Sequence, residues 1–145
     1  MRVDFYQLSS DPAEAVVPLL AQATLNAGER LLVVSGDDEQ LGRIGDALWS
    51  HRAESFLAHG RAGDAGEDRQ PILLSREPQP GNAARYLLLA DGLWREEAAG
   101  FERVFLLFGD AALQGARECW RMLGEREISE RHFWKQEGGK WREMG

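Results

Sequence analysis

Four residues near the end of the chain have the types and spacing to receive a carboxylate. Leu113, Arg117, Trp120 and Arg121 fall at i, i+4, i+7 and i+8, so a helix would set them in one strip flanking its apolar face. An arginine beside an indole can hold a carboxylate through two parallel hydrogen bonds while an apolar ring packs alongside. The same spacing also suits an ordinary solvated helix flank with Trp120 half buried.

Residues that could do covalent or metal chemistry are less well placed. His51, His59 and His132 include no pair at i, i+3 or i+4, the spacing that puts two ligands on one helix face. His51 and His59 flank a turn-like segment and are expected to be solvated. Cys119 shares an apolar stripe with Ala112, Ala116 and Leu123, so burial is expected rather than nucleophilic use. Asp37, Asp38 and Glu39 sit where a helix begins, and there carboxylates stabilise the helix dipole. No nucleophile, base and orienting group can be assembled. The sequence therefore reads as a non-enzyme with no metal and no cofactor.

The elements that must position these residues alternate between extended and helical. Residues 3–8 form an alternating strand, with Val3, Phe5 and Gln7 on one face and Asp4, Tyr6 and Leu8 on the other. Asp11, Pro12 and Glu14 signal a helix start. Pro18 conflicts with one straight helix from Pro12, because its ring clashes with the preceding turn. A short turn is expected first, then a regular helix from Pro18 to Ala27, stopped by Gly28. Residues 31–35, 71–75, 86–90 and 103–108 are apolar runs of the kind buried on both faces of a parallel sheet. Asp37 with Gln40 caps a helix to about Trp49, and Asp110 caps a long one to about Arg126. Residues 60–70 read as a polar surface loop. The segment 133–145 is either a small hairpin about Gly138-Gly139 or a frayed tail. The sum is a single α/β domain spanning 1–145, its mainly parallel sheet covered by helices on both faces.

Such a pattern invites a nucleotide, and the turns argue against one. Phosphate binding at a first strand-to-helix turn needs glycines that let backbone amides approach. The first turn here is SSDPAE, with none, and the second is SGDDEQ, in which three acids follow the glycine. Carboxylates at that helix N-terminus repel phosphate, and no GxxxxGK[ST] occurs. An orphan nucleotide- or ligand-binding domain, or an enzyme, stays as the alternative reading on fold analogy alone.

Charge narrows the partners. The net charge is −7; residues 1–109 carry 10 basic and 17 acidic side chains, and residues 110–145 carry 7 of each. A nucleic-acid binder shows a basic excess or stripe, so no direct contact with nucleic acid is expected. An acidic partner would meet least repulsion near the last helix. The lone cysteine precludes an internal disulfide, and no apolar run reaches the roughly 20 residues of a membrane helix. A cytoplasmic location without membrane contact is expected.

A second surface is marked by DALWSHRAESFLAH, residues 46–59. The stripe of the preceding helix is Leu41, Ile44, Gly45 and Leu48; Trp49 lies off it, and Phe56 follows a charged segment. Aromatics placed this way suit docking to another protein, with core or sheet-edge packing as the plainer account.

From FYQL through ALWSHRAESFLAHG, the glycine-rich loop and PILLS to the last helix, nearly the whole chain resembles the chi subunit family of the bacterial DNA polymerase III clamp-loader assembly. No short pattern is diagnostic; length, order and spacing together carry the resemblance. It implies a Rossmann-like domain without nucleotide chemistry, serving as an adaptor between the clamp loader and single-stranded-DNA-binding protein. It implies that the acidic, phenylalanine-ended tail of that protein is held by Arg117 at its terminal carboxylate and by the aromatic Trp120. Leu106 on the preceding strand would add an apolar contact, and Arg121 would attract acidic side chains. Leu113 departs from the pattern, since better-known members have a lysine there. The segment with Trp49 and Phe56 would take a second partner, the small subunit psi or a helicase that competes with it.

Overall fold

The computed structural model describes residues 1–51, 57–126 and 130–144. Seven parallel strands and one antiparallel strand form a single sheet. They are β1 (Arg2–Gln7), β2 (Leu31–Val34), β3 (Gly60–Arg61), β4 (Ile72–Ser75), β5 (Tyr86–Leu89), β6 (Arg103–Phe108), β7 (Glu130–Glu137) and β8 (Lys140–Met144). Their order across the sheet is β3-β4-β2-β5-β6-β1-β7-β8, with only β8 antiparallel to its neighbour. The runs in β2 and β4 are buried at every residue, as strands covered on both faces must be.

Helices α1 (Ala13–Asn26) and α2 (Asp38–Ser50) cover one face, and α3 (Leu113–Glu125) covers the other. Two cores result. One packs Val17, Ala21 and Ile44 against Val33, Leu74 and Leu88. The other packs Ala116, Cys119 and Leu123 against Phe5, Leu106 and Phe108. Burial pushes the Cys119 thiol up to about 12, in keeping with its place on the apolar stripe.

Three expectations about helix starts fail, two of them for tertiary reasons. Helix α1 runs unbroken through Pro18. The proline is buried beside Val16, Val17 and Ala21, and that packing outweighs one missing hydrogen bond near the helix start. Asp11 does not cap α1: its carboxylate accepts from Gln136 Nε2 at 2.7 Å, while Pro12 stands at the cap. Asp110 likewise makes no side-chain cap and opens a 3₁₀ turn that leads into α3. Asp37 does cap α2, accepting from the Glu39 amide at 3.0 Å. Gln40 turns away from that box to accept from Ser35 Oγ and donate to the Ala90 carbonyl. The polar segment 60–70 contributes the two-residue edge strand β3.

The terminal segment is a hairpin. Gly138 and Gly139 take φ of +56° and +78°, the left-handed pair that a two-residue turn between right-twisted strands demands. Strand β7 then adds to β1 in parallel, with Phe5 opposite Phe133 and Gln7 opposite Lys135. Gln136 anchors it from the side, its Oε1 accepting from the amides of Ser9 and Asp11.

Asp4, in the middle of β1, is fully buried. Its carboxylate accepts from Arg2 Nη2 at 3.1 Å, Arg103 Nε at 3.0 Å and the Trp134 indole at 3.1 Å. Burial alone would push this carboxyl up. The hydrogen bonds from Arg2 and Trp134 and the charge of Arg103 outweigh it and hold the group below the usual carboxylate range. Three strands, β1, β6 and β7, are thus tied to one charge.

Candidate functional site

The site begins with the register of β1 and β7. Side chains two residues apart share a face of a strand, so Phe5 and Gln7 point the same way as their partners Phe133 and Lys135. Met144 of β8 lies opposite Phe133 and joins that face. Helix α3 crosses above and runs counter to β7: Arg131, early in β7, reaches the late α3 residue Gly124 and donates to the Trp120 carbonyl at 2.5 Å. The first turns of α3 therefore lie toward Lys135. The narrow helix cannot cover the whole width of three strands, and a cavity of about 690 Å³ opens beside it.

Arg117, Trp120 and Arg121 line that cavity from α3, so three residues of the expected strip meet at one place. Trp120 is held from several sides. Its ring stands edge-on to Phe5 at 5.2 Å and to Phe133 at 5.8 Å, and the Arg131 guanidinium covers it at 4.2 Å. Such packing fixes the indole as a wall at little further entropic cost. Arg117 and Arg121 are exposed and, among the described residues, neither has an ion-pair partner. Two fixed charges beside an apolar floor are what a peptide carboxylate with an adjoining ring requires.

The other two residues of the set fall elsewhere. Leu106 is 0% exposed, in the middle of β6, and supports the floor from within the core. Leu113 is half-buried against the same core, in the first turn of α3, and lies outside the cavity lining. The sequence strip missed Gln7, Gln114, Phe133, Lys135 and Met144, which complete the lining. The alternation FWK put Phe133 and Lys135 on one face; nothing local showed that this face would lie beside α3.

A smaller cavity of about 170 Å³ opens on the opposite face among Tyr6, Leu19, Trp134 and Trp141. It has no charged lining residue and so nothing to hold a carboxylate. The crevice at the carboxyl ends of β2 and β5, where sheets of this kind place phosphates, is filled by the chain itself. There Asp91 accepts from the Gly36 amide at 2.9 Å and from both terminal nitrogens of Arg95 at 3.0 and 2.8 Å. Among the described residues no group of three or more metal-ligating side chains occurs, and no helix is long and apolar enough to cross a membrane.

Trp49 is 54% exposed at the end of α2, as its place off the apolar stripe implied, and its ring lies 5.0 Å from that of His59. Phe56 lies outside the described residues. The two histidines are less solvated than expected because the chain folds back on α2, the Leu57 amide donating to the Leu48 carbonyl at 3.1 Å. His59 Nδ1 is 2.9 Å from the Leu57 carbonyl oxygen. His51 Nε2 is buried without a partner among the described residues. Trp49→Ala should change stability by no more than about 0.5 kcal/mol, as exposed substitutions do. A core tryptophan would cost about 3–5 kcal/mol, a difference that thermal melting resolves.

Comparison with known proteins places this architecture. Residues 1–130 match the model of the family described as DNA polymerase III chi subunit, HolC. The DNA polymerase III subunit chi of Pseudomonas aeruginosa (strain PAO1) is 33% identical over 134 residues, covering 86% of this chain and 90% of that protein. Its counterpart in Escherichia coli (strain K12) is 28% identical over 127 residues, covering 81% and 86%. The chain belongs to the DNA polymerase III chi subunit family.

Proposed function

We infer that this chain is a non-catalytic replisome adaptor, linking the clamp loader to the acidic C-terminal tail of single-stranded-DNA-binding protein in the cytoplasm. The observation that carries the reading is the cavity beside α3, where Arg117 and Arg121 flank an aromatic floor made by Trp120 and Phe133. The tail offers a terminal carboxylate to Arg117, a terminal ring to the floor and acidic side chains to Arg121. The near-neutral last quarter of an otherwise acidic chain is the least repulsive place for it. A second partner, a psi-like clamp-loader subunit or a helicase that competes with it, docks around Trp49 and Phe56. Trp49→Ala should abolish its co-purification while leaving tail binding intact.

Titration with a labelled acidic peptide ending in phenylalanine tests the tail site, beside ATP and NAD as controls. Arg117→Ala should weaken binding by about 1.5–3 kcal/mol, the scale of a hydrogen bond to a charged group. Arg121→Ala should cost less, and its share should fade as salt rises. Amidating the peptide's C-terminus should harm wild type far more than Arg117→Ala, since the two changes remove opposite ends of one contact. Equal losses in both proteins would mean that Arg117 does not hold the carboxylate. Tight binding of ATP or NAD without peptide binding would favour the ligand-binding alternative.

A further inference from the structure

We propose that the β7–β8 hairpin forms the second wall of the peptide site and that Lys135 on it is a specificity residue, receiving an acidic side chain just upstream of the bound peptide's terminal ring. The proposal rests on the tail-binding reading of the same cavity. Its support is geometric. Lys135 lines the cavity with Arg117 and Arg121 but stands on β7, across the opening from α3. It is half-buried and, among the described residues, has no ion-pair partner, although acidic side chains elsewhere on the hairpin are taken. Glu137 pairs with Arg142, and Glu130 and Glu143 flank His132. Among the described residues, then, no carboxylate of the hairpin is left to pair with Lys135.

The position also fixes which part of a peptide Lys135 would meet. Register sets it beside Gln7 and two residues beyond Phe133, toward the first turns of α3. A terminal ring on the Trp120–Phe133 floor, with its carboxylate at Arg117, therefore leaves the preceding side chains between α3 and β7. Cations on both sides of that path favour an acidic stretch over a merely apolar one. Met144, 42% exposed at the rim, adds an adaptable apolar contact.

Fluorescence anisotropy with two labelled peptides tests it. One has acidic residues before a terminal phenylalanine; the other has them replaced by their neutral amides. Lys135→Ala should weaken the acidic peptide about three- to fivefold at low salt, the range of a partly exposed charge pair. It should leave the neutral peptide unchanged. Lys135→Arg should bind like wild type. Lys135→Glu should weaken the acidic peptide further, and a peptide with lysine at the paired position should recover the loss. Thermal melting confirms folding, and Lys135→Met, which keeps the apolar stem, replaces the alanine variant if that one fails to fold. Equal losses for both peptides, or none for either, overturn the role of Lys135 while Arg117→Ala still weakens binding of the acidic peptide. Failure of wild type to bind either peptide overturns the tail-binding reading together with the proposal built on it.

Discussion

Leu106→Ala should destabilise the protein by about 2–5 kcal/mol, the cost of a cavity left by a buried leucine. Leu106 lies opposite Phe5 on one side and Leu89 on the other, in the middle of β6, and is 0% exposed. Interiors are packed too closely to fill the lost volume by small shifts. Denaturant unfolding should show a lower midpoint with an unchanged slope. Below its own melting transition, the variant should still bind the acidic peptide with wild-type affinity, because Leu106 supports the floor without reaching the ligand. Weaker binding at unchanged stability would show that the leucine touches the peptide.

Asp4→Ala should cost about 3 kcal/mol, the low end of the range for removing one partner of a buried ion pair. The low end applies because Arg2 and Arg103 are 35% and 28% exposed and recover some hydration, whereas the Trp134 indole loses its acceptor. The folded-state carboxyl is held below its unfolded value. Its contribution is therefore fully present above the unfolded pKa of about 3.9 and is lost as pH falls through the folded value. Wild type should lose stability below about pH 4 more steeply than Asp4→Asn, whose side chain does not titrate there. Parallel stability curves for the two proteins in acid would mean that Asp4 is not held as a carboxylate.

Most of the fold was legible because buried parallel strands announce themselves. Residues 31–34, 72–74 and 87–89 are apolar throughout, and few other arrangements bury such runs. Helix starts were less legible. Asp11 has the type and place of a cap, yet Gln136, distant in sequence, takes its carboxylate. Pro18 should break a helix locally, and packing against the sheet overrides it. The candidate site was half legible. That one helix presents Arg117, Trp120 and Arg121 together follows from their spacing, but the same spacing suits a solvated flank, and only the family resemblance gives them a role. Phe133 and Lys135 enter through the pairing of β7 with β1, and no local pattern encodes which strand a hairpin will join. Leu106 illustrates the converse: an apolar residue beside a site is as readily its foundation as its surface.

The place of β1 in the sheet bears on the growing chain. Residues 2–7 are synthesised before residues 103–108 and 130–137, yet those two segments are its neighbours on either side. Through most of synthesis, then, an apolar and aromatic strand has no mate, and its open amides and carbonyls are a template for any other strand. A carboxylate in the middle of such a strand, pointing where an intruder would have to bury it, makes the template a poor one for anything that lacks matching cations. The completed sheet adds to Arg2, on the strand itself, a second cation from Arg103 and the indole hydrogen of Trp134, so the charge that discourages a wrong pairing is satisfied by the right one.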